Sequence, residues 1–463
     1  MNRLNYKQLT ALITDLEEKY DLFSLKQDDV YIWKLIRVSV MVYLTTKFNG
    51  ITSVHGRTTT KEKSLSLFQF LQKGFLNHPF FINKNTSKVI FENPRKVKFN
   101  NEGIDPYTHF LLKDAKDYHV IEGVYKLKHM QSVYRPSSST HSLILLQNFK
   151  KITSKKRSLS SENLKVLLKV EQCISKRFDF EVPIIRFASE QLNNFITGYY
   201  VYNLLFRNKK WSEIYLVCSY GKEHIIAAAK DNNIKVIEFQ HGVMGPYHLG
   251  YHFPKVKEVP YFPDEVLLFG EFWGNTTKLP SNVKLTNYGY PYLNEQVNYY
   301  QQKIRHKDIK QVTVISQGTI GRSLSELVLE VAKELPDYHF QYKLHPGEFG
   351  RWKKEYPALV KLSKLKNVTI YENEKPLYEM LAESLYTIGV YSTALFEAVA
   401  FEANPILIKL SGYEYMDDFR KIYELPIYTK GEEVASYINE RSINEKIYHA
   451  NIKNLLWSGE TKK

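Results

Sequence analysis

Two histidines follow apolar runs that are typical of buried strands, and both are candidates for acid–base chemistry. His345 closes the run HFQYKLHP, and His241 follows the run IKVIEFQ, which also contains Glu238. Open α/β folds bind ligands at the carboxyl ends of their parallel strands. We therefore predict that His345, fixed by Pro346, contacts a phosphate oxygen or a leaving group. His241 or Glu238 is expected to deprotonate an acceptor hydroxyl, with structural packing of the histidines as the alternative.

A second candidate phosphate site is the segment GVYSTALFEA, in which Ser392 and Thr393 open a predicted helix directly after a strand. The first turn of a helix offers unpaired N–H groups and the positive end of the helix dipole, and both suit a phosphate. Glu397 lies about one turn further on, where its carboxylate is expected to bind ribose hydroxyls. Ordinary helix capping by Ser392 is the alternative explanation.

The loop ISQGTIGRS is the third feature of phosphate-binding type. Gly318 and Gly321 allow the backbone to approach a phosphate closely. Thr319 lies in the same loop, and Arg322 would supply a positive charge. The spacing matches neither a Walker A loop nor a full dinucleotide fingerprint, so it indicates phosphate binding without specifying a nucleotide.

Two further histidines lie in the segment EFQHGVMGPYHLGYHFP, but the segment does not predict a metal site. His248 and His252 have the spacing of a zinc pair, whereas Gly245, Pro246 and Gly250 disfavour the helix that such a pair requires. The Asp-x-Asp triplet that clamps a metal–diphosphate in many sugar transferases is absent. We therefore expect no metal and no other cofactor, with a helix dipole, a histidine and an arginine neutralising the leaving phosphate.

These candidate residues require a scaffold of alternating strands and helices, which the chain supplies from about residue 190. Residues 212–220 and 234–240 are predicted buried strands that flank a helix, and this order implies parallel strands with a right-handed crossover. A second alternating series runs over residues 311–410. The pattern predicts an α/β chain with two Rossmann-like domains.

One segment of the first series resembles one segment of the second. Residues 220–237 and 391–408 superpose without a gap, so that Tyr220 falls on Tyr391 and Asn233 on Asn404. Both segments are strand–helix–strand units of equal length. Twin domains explain this resemblance, and chance similarity between two strand–helix–strand units is the alternative.

The polar, proline-containing stretch from Asn275 to about Arg305 is expected to link the domains. We therefore assign residues 1–300 to an N-terminal, acceptor-side domain and residues 301–440 to a C-terminal, donor-binding domain. Residues 441–463 are expected to form a helix that packs back toward the N-terminal domain. The basic segment near 131–163 is expected to be an exposed insertion, and residues 87–100 to form two short strands around a turn.

The composition is that of a globular protein without a disulfide framework. The 463 residues include two cysteines and carry a net charge of +15. The cysteine content fits a cytoplasmic location, and the amino-terminal residues lack the apolar core of a signal peptide. Because no nucleic-acid-binding signature is present, we expect anionic substrates and the inner face of a membrane as partners rather than nucleic acid. The apolar stretch 30–44 contains Lys34 and Arg37 and is predicted to be a partly buried helix rather than a membrane anchor.

Taken in order, the motifs QHG (residues 240–242), HP (residues 345–346) and S-T-x-x-x-E (residues 392–397) resemble those of GT-B glycosyltransferases of bacterial surface-polysaccharide synthesis. Capsule and O-antigen transferases, polysialyltransferases and CDP-glycerol polymerases share versions of this order. The resemblance covers residues 212–410 and implies two parallel-sheet domains that face each other across a cleft.

For individual residues, the resemblance implies that His345, Ser392 and Thr393 contact the donor phosphate. It implies further that Glu397 binds the ribose and that His241 acts as the base. Polysialyltransferases place an acidic pair before the glycine, whereas this chain has Gln240 and His241 there, so a sialyl donor is less strongly implied.

The sequence therefore predicts metal-independent transfer of a sugar from a nucleotide-activated donor to a growing surface polysaccharide. The acceptor is expected to be a glycan or a lipid-linked glycan. A polyol-phosphate transferase of the CDP-glycerol type, a UDP-sugar epimerase and a non-enzymatic membrane-surface scaffold are the alternatives.

Overall fold

The computed structural model describes residues 5–48, 78–81, 86–124, 132–304, 306–441 and 450–458, and these residues form two parallel β-sheets surrounded by helices. In chain order the strands are β1 (Lys26–Gln27), β2 (Val30–Tyr31), β3 (Lys88–Phe91), β4 (Val97–Phe99), β5 (Glu102–Ile104), β6 (Tyr118–Glu122), β7 (Ser137–Ser139), β8 (Glu213–Val217), β9 (Lys235–Phe239), β10 (Glu265–Leu268), β11 (Lys284–Asn287), β12 (Asp308–Ile315), β13 (His339–Lys343), β14 (Val368–Tyr371), β15 (Ser384–Gly389), β16 (Asn404–Ile408) and β17 (Ile427–Tyr428).

The helices cover both faces of the sheets. Their bounds are Tyr6–Lys19, Ile32–Phe48, His109–Asp114, His141–Thr153, Ser161–Phe178, Ile184–Arg207, Glu223–Asp231, Glu271–Thr276, Pro291–Lys303, Gly321–Glu334, Trp352–Glu355, Pro357–Leu362, Leu377–Glu383, Thr393–Ala400, Asp417–Tyr423, Gly431–Arg441 and Ala450–Trp457, with 3-10 turns at Leu22–Ser24 and Tyr413–Met416.

The first sheet has seven parallel strands in the order β11-β10-β9-β8-β3-β6-β7. The predicted strand–helix–strand unit forms its centre, because β8 and β9 pair in parallel with Glu213 opposite Lys235. Successive residues of a strand point to opposite faces. Ile214 and Leu216 accordingly pack with helix Ile184–Arg207, while Tyr215 and Val217 pack in a second cluster on the other face.

The second sheet has six parallel strands in the order β14-β13-β12-β15-β16-β17. Its central strand β12 pairs with β13 and β15, and helices cover both faces, which explains why its strands appear in the sequence as continuous apolar runs. The predicted α/β class with two Rossmann-like parallel sheets is confirmed, and the architecture is GT-B-like. Sheet pairing ends at Asn287 in the first half and begins at Asp308 in the second, while the finer domain limits stay a prediction.

The apolar stretch 30–44 lies mostly in helix Ile32–Phe48, whose side chains Trp33, Ile36, Val40 and Leu44 are fully buried. Its two cations are also buried and paired. Lys34 lies 3.1 Å from Glu223, and Arg37 bonds to the Glu17 carboxylate. In the part of the chain that the structure describes, no helix is both long and apolar enough to span a bilayer.

The basic segment near 131–163 is not the exposed insertion that we expected, although residue 131 lies outside the described residues. Ser137–Ser139 forms the edge strand β7 beside β6, and residues 141–153 form a helix. Ser138 is fully buried and shares a 2.7 Å hydrogen bond with His119 Nε2. The serines of this strand can be buried because a histidine distant in sequence satisfies a hydroxyl. A serine-rich strand has no apolar run, so the sequence did not reveal it. Within this segment, residues 132–136, 140 and 154–160 lie outside helices and strands.

The expected linker from Asn275 to about Arg305 is also mostly regular structure, with Arg305 itself outside the described ranges. Residues 284–287 form β11, which pairs with β10, and residues 291–303 form a helix that begins with Pro291 at its first position. Tyr300 of this helix packs against Phe401 of the second half. The expected strand pair in residues 87–100 differs as well, since β3 joins the sheet and β4 pairs with β5.

The helix Ala450–Trp457 contacts both halves of the molecule, while residues 442–449 lie outside the described part. Trp273 Nε1 of the first half donates to the Leu456 carbonyl at 2.9 Å. Trp457 Nε1 donates to the Phe396 carbonyl of the second half at 3.3 Å. All three aromatic side chains are almost fully buried, so this helix joins the two halves through an apolar contact.

A buried carboxylate, Glu348, joins two loops at the carboxyl edge of the second sheet. It accepts a 2.8 Å hydrogen bond from Ser316 Oγ after β12 and a 2.7 Å bond from the His345 N–H after β13. Gly321 leaves the space that this carboxylate occupies. A Cβ at position 321 would overlap Glu348 Oε1 and lie 2.8 Å from Tyr356 Cε2.

We predict that Gly321→Ala lowers the free energy of unfolding by about 2 kcal/mol, because the added methyl forces the buried carboxylate away from its partners. Urea denaturation followed by circular dichroism measures the change. Gly245→Ala is the matched control, since a Cβ there meets nothing within 4 Å, and its effect should stay within about 0.5 kcal/mol. Equal effects of the two substitutions would contradict the role assigned to Glu348.

Candidate functional site

The carboxyl edges of the two sheets meet around a cavity of about 390 Å³. The first half contributes Tyr220, His241 and Gly242, which follow β8 and β9, and the second contributes Ser392 and Thr393, which follow β15. Three predicted site residues from opposite halves therefore line one space. Thr393 Oγ1 lies only 3.7 Å from the position a Cβ would take on Gly242, which shows how closely the halves approach.

One wall of the cavity is apolar and comes from elements outside the two sheets. Val38, Met41 and Val42 of helix Ile32–Phe48 lie there together with Tyr415 and Met416 of the second half. The wall is linked to the segment 238–254, which contains His241, because Arg37 of the same helix donates to the His252 carbonyl at 2.9 Å. The cavity thus has a polar floor between the sheets and an apolar side.

His241 is held between two tyrosine hydroxyls. The Tyr251 hydroxyl donates its proton to Glu238, so its oxygen accepts from His241 Nδ1 at 3.3 Å. Nε2 of the same ring then keeps its lone pair and lies 3.2 Å from the Tyr220 hydroxyl. This arrangement selects the tautomer whose Nε2 can accept a proton.

The pKa of His241 is lowered to about 3, mainly by burial and then by the neighbouring His248 ring and the positive charges of Lys222 and Arg95. The imidazole is therefore neutral across the ordinary pH range. An anionic ligand in the cavity would oppose these positive charges and raise the pKa again. A neutral imidazole in this position can accept a proton, and a bound phosphate would make it more basic.

Glu238, the other predicted base, lies behind His241 rather than in the cavity. It is fully buried and accepts a 2.9 Å hydrogen bond from the Ser219 N–H as well as the Tyr251 hydroxyl. Burial raises the pKa of this carboxyl. Glu238 is therefore linked to the His241 imidazole through Tyr251, which orients the ring.

The helix Thr393–Ala400 points its amino end at the cavity. Ser392 caps it, since its Oγ accepts from the Ala394 N–H at 3.2 Å, and the Ser392 hydroxyl proton stays available to a ligand. Gln317, which follows β12, also lines the cavity, and its buried Oε1 has no hydrogen-bond partner among the described residues. An unpaired buried acceptor beside a helix amino end is suited to a ligand that carries both hydroxyl and phosphate groups.

His345 occupies the next loop along the same edge, with Pro346 directly after it. Its Nδ1 accepts from the Gly347 N–H at 3.0 Å, so the neutral ring carries its hydrogen on Nε2. Burial, followed by the charges of Arg351 and Arg95, lowers its pKa. The ring is near Gly318, because a Cβ there would lie 3.7 Å from His345 Nδ1. His345 is thus a neutral hydrogen-bond donor at the loop between β13 and the cleft.

Two arginines that the sequence analysis missed bring positive charge to this region. Arg351 donates to the carbonyls of Gly318 and Gly347, each at 2.7 Å, and so joins two predicted phosphate loops. Arg95, in the loop after β3, lowers the pKa of His241 and of His345, which belong to opposite halves. A usable signal was the position of Arg351 six residues after His345, whereas Arg95 carries no local signal.

The predicted Arg322 is not brought to the cavity. Its side chain is 68% exposed and pairs with Glu326 on the same helix at 3.6 Å. Thr319 shares a hydrogen bond with the Tyr391 hydroxyl and so supports the loop before that helix. The loop between β12 and helix Gly321–Glu334 therefore approaches the cleft through Gln317 and Gly318.

Glu397 lies in a tyrosine cluster rather than beside an open surface. It is 9% exposed and is hydrogen-bonded to Tyr378. Its charge also acts on Tyr107, Tyr290 and Tyr292. Burial raises the pKa of the Glu397 carboxyl from 4.5 to about 7. Ribose binding by this residue stays a prediction.

The remaining histidines of the segment 238–254, His248 and His252, are held by backbone hydrogen bonds, and His248 also borders the cavity. His248 Nδ1 accepts from the Gly250 N–H, and His252 Nδ1 accepts from the Lys278 N–H, each at 3.2 Å. Burial lowers both pKa values to about 4. Within the described ranges, no group of three histidine, cysteine, aspartate or glutamate side chains converges to hold a metal ion.

Comparison with known proteins finds similarity in the fold alone. No family model and no curated protein matches the chain. Solved structures similar to it include UDP-GlcNAc 2-epimerase from Methanocaldococcus jannaschii in complex with UDP-GlcNAc and UDP, with 11% identity, a TM-score of 0.45 and coverage of 80% of this chain and 96% of that one. UDP-GlcNAc 2-epimerase from Neisseria meningitidis bound to UDP-GlcNAc has 12% identity, a TM-score of 0.43 and coverage of 80% and 97%. Anabaena HepE in complex with UDP-glucose has 10% identity, a TM-score of 0.39 and coverage of 80% and 93%.

These structures are two epimerases and one complex with UDP-glucose, whereas the sequence motifs indicate polysaccharide transferases. At such identities and TM-scores the similarity says nothing about the reaction. The chemistry must therefore be inferred from the residues around the cavity.

We predict that Glu397 makes the protein less stable as the pH rises. A carboxyl with a folded pKa of about 7 and an ordinary value of 4.5 binds its proton more tightly in the folded state. Its contribution is therefore complete below about pH 4.5 and is lost as the pH rises to 7, at a cost of about 3 kcal/mol.

Comparing Glu397→Gln with the wild type at pH 5 and pH 8 separates the contribution of Glu397 to stability from that of the other titrating groups. The variant should gain free energy of unfolding relative to the wild type at pH 8 but not at pH 5. Glu326→Gln, at an exposed position, should show the same difference at both pH values. A pH-independent effect of Glu397→Gln would show that the carboxyl titrates normally.

Proposed function

We propose that this chain binds a nucleotide-activated sugar between its two halves and transfers the sugar to an acceptor hydroxyl. The observation that carries the proposal is that His241, whose neutral Nε2 keeps its lone pair, shares one cavity with the amino end of helix Thr393–Ala400. A base for the acceptor and a site for the leaving phosphate thus face each other from opposite halves.

The donor phosphates would lie along the carboxyl edge of the second sheet. The loops after β13, β12 and β15 stand side by side there, so His345 and Ser392 are separated by two strand spacings, about 10 Å. The His345 Nε2–H, the helix amino end and Arg95 would each stabilise negative charge. This arrangement suits a diphosphate that bridges neighbouring loops.

In the reaction, the acceptor oxygen attacks the anomeric carbon while the bond between that carbon and the phosphate oxygen breaks. The acceptor proton passes to His241 Nε2, and the bonding electrons leave with the nucleotide phosphate. Charge on the imidazolium is shared through Tyr251 with Glu238, and charge on the phosphate is met by His345 and the helix dipole. Both histidines in this reaction act in the tautomer that their hydrogen bonds select.

The apolar wall supports a second substrate beside the donor. Val38, Met41 and Met416 border the same cavity as His241 but have no polar group that would bind a phosphate. An acceptor with an apolar portion next to its reacting hydroxyl would fill this space. A glycan or lipid-linked glycan remains the proposed acceptor class.

Epimerisation of a UDP-sugar is the second candidate, and the Glu238–Tyr251–His241 chain favours it. A carboxyl with a raised pKa joined by hydrogen bonds to a neutral imidazole can give and take protons without an acceptor substrate. Proton NMR of the protein with UDP-sugar alone separates the candidates. A new sugar resonance without free UDP would support epimerisation, whereas nucleotide release that requires an acceptor would support transfer.

Calorimetric titration with UDP, UMP, CDP, CMP, GDP and TDP tests the donor site. We expect one nucleotide to bind and His345→Ala to weaken it about tenfold, through loss of a hydrogen bond to a charged group. CMP would indicate sialic acid, Kdo or a polyol phosphate, and UDP a hexose or hexosamine.

His339→Ala is the matched control, since His339 lies at the amino end of the same strand and bonds to Gln311 and Thr369. Its nucleotide affinity should equal that of the wild type. A wild-type protein that binds none of the nucleotides would overturn the proposed function.

Tyr251→Phe tests the base. The ring would still pack, but the hydroxyl link from His241 to Glu238 would be lost, so kcat should fall at least tenfold while the KM for the donor changes little. The low-pH limb of the kcat profile should also move, because the imidazolium loses its partner. Tyr300→Phe, at a buried tyrosine that is not among the residues lining the cavity, should leave both parameters unchanged. An unchanged pH profile in Tyr251→Phe would argue against His241 as the base.

A further inference from the structure

Exposed apolar side chains are concentrated on one region far from the motifs. In the part of the chain that the structure describes, fourteen large apolar side chains are exposed, and seven of them lie on three consecutive helices between residues 141 and 207. These seven are Leu146, Phe149, Ile152, Leu164, Leu168, Tyr200 and Leu204. Such a concentration marks an interaction surface rather than the scattered exposure of ordinary monomers.

Five of these side chains form one patch on two helices that touch. Gln147 Nε2 of helix His141–Thr153 donates to the Asn194 carbonyl of helix Ile184–Arg207 at 3.1 Å. On the outer side, Lys150 Nζ lies 4.3 Å from the centre of the Tyr200 ring. We call the patch made by Leu146, Phe149, Ile152, Tyr200 and Leu204 the outer patch. Phe149 and Ile152, which are 66% and 84% exposed, are its most prominent members.

Positive charge surrounds the outer patch. Residues 141–210 contain thirteen lysine and arginine residues and five aspartate and glutamate residues, so they hold more than half of the net charge of +15. Lys150 and Lys151 follow Phe149 in the chain, and the exposed residues Lys155, Lys156 and Arg157 begin two residues after the helix, with Arg157 also 3.7 Å from Asp28. The outer patch thus has several cations close to its apolar side chains in the chain.

We propose that the outer patch docks on the surface of an anionic lipid bilayer. An apolar helix face with lysines at its edges lies in the plane of a membrane, where the apolar side chains enter the headgroup region and the lysines meet lipid phosphates. Neither helix spans the bilayer. Charge complementarity selects anionic lipid, and the protruding aliphatic side chains Leu146, Ile152 and Leu204 suit the headgroup region of a bilayer better than the phosphate backbone of a nucleic acid.

Membrane docking by the outer patch does not depend on the proposed function. The outer patch shares no residue with the cavity, and its exposed side chains contribute little to the core. Variants in the patch should therefore fold normally and bind the nucleotide as the wild type does. Failure of membrane docking and failure of nucleotide binding can thus be told apart.

Co-sedimentation with lipid vesicles tests the proposal, using the full chain with either phosphatidylcholine alone or a 3:1 mixture with phosphatidylglycerol. We expect binding to the mixed vesicles, at least tenfold weaker binding to phosphatidylcholine, and weakening by salt. The double variant Phe149→Ser and Ile152→Ser should reduce binding to the mixed vesicles at least tenfold. Replacing Lys155, Lys156 and Arg157 by Gln should also reduce it.

The matched control is Tyr299→Ser with Ile309→Ser, which removes similar side chains that are 57% and 54% exposed elsewhere. It should bind vesicles as the wild type does, and thermal denaturation should show all variants folded. Equal losses in control and patch variants would overturn the proposal. Binding to single-stranded nucleic acid without vesicle binding would overturn it too, as would a patch-dependent dimer in sedimentation velocity that does not bind vesicles.

Discussion

Two buried carboxylates hold the loops on which the candidate site depends. Glu238 ends a strand of the first sheet and accepts from the Ser219 N–H of the neighbouring loop, while Glu348 joins the loops after β12 and β13. Burial raises the pKa of both carboxyls, and the hydrogen bonds oppose that rise. Moving either loop away would leave a buried carboxylate oxygen without its hydrogen bond, and this cost holds the loops in place.

The two histidines acquire opposite roles from this framework. Glu238 accepts the hydrogen bond of the Tyr251 hydroxyl, so His241 donates from Nδ1 and keeps a lone pair on Nε2, whereas the Gly347 N–H donates to His345 Nδ1 and leaves a hydrogen on Nε2. Both rings are neutral because burial lowers their pKa values. One ring is therefore suited to accept a proton and the other to donate a hydrogen bond. Such a division of roles is what transfer between an acceptor and a leaving phosphate requires.

Elements outside the sheets form one wall of the cavity. Helix Ile32–Phe48 supplies the apolar wall and is anchored by the buried pair Arg37 and Glu17. Helix Ala450–Trp457 contacts both halves from another side through Trp273 and Phe396. These contacts are buried and direct, and they connect both halves to segments that carry no recognisable motif.

The sequence alone determined the strands and their parallel order in both central units, because buried parallel strands are continuous apolar runs separated by amphipathic helices. It also placed His241, His345 and Ser392 at strand ends, since this depends only on local order. It did not reveal β7, whose serines are satisfied by His119, or β11 in the expected linker. Nor did it distinguish Arg95 from Arg322, or show that Glu397 lies among tyrosines. These outcomes rest on contacts between residues far apart in the chain, and only the tertiary structure decides which charges are buried, paired or left facing the cavity.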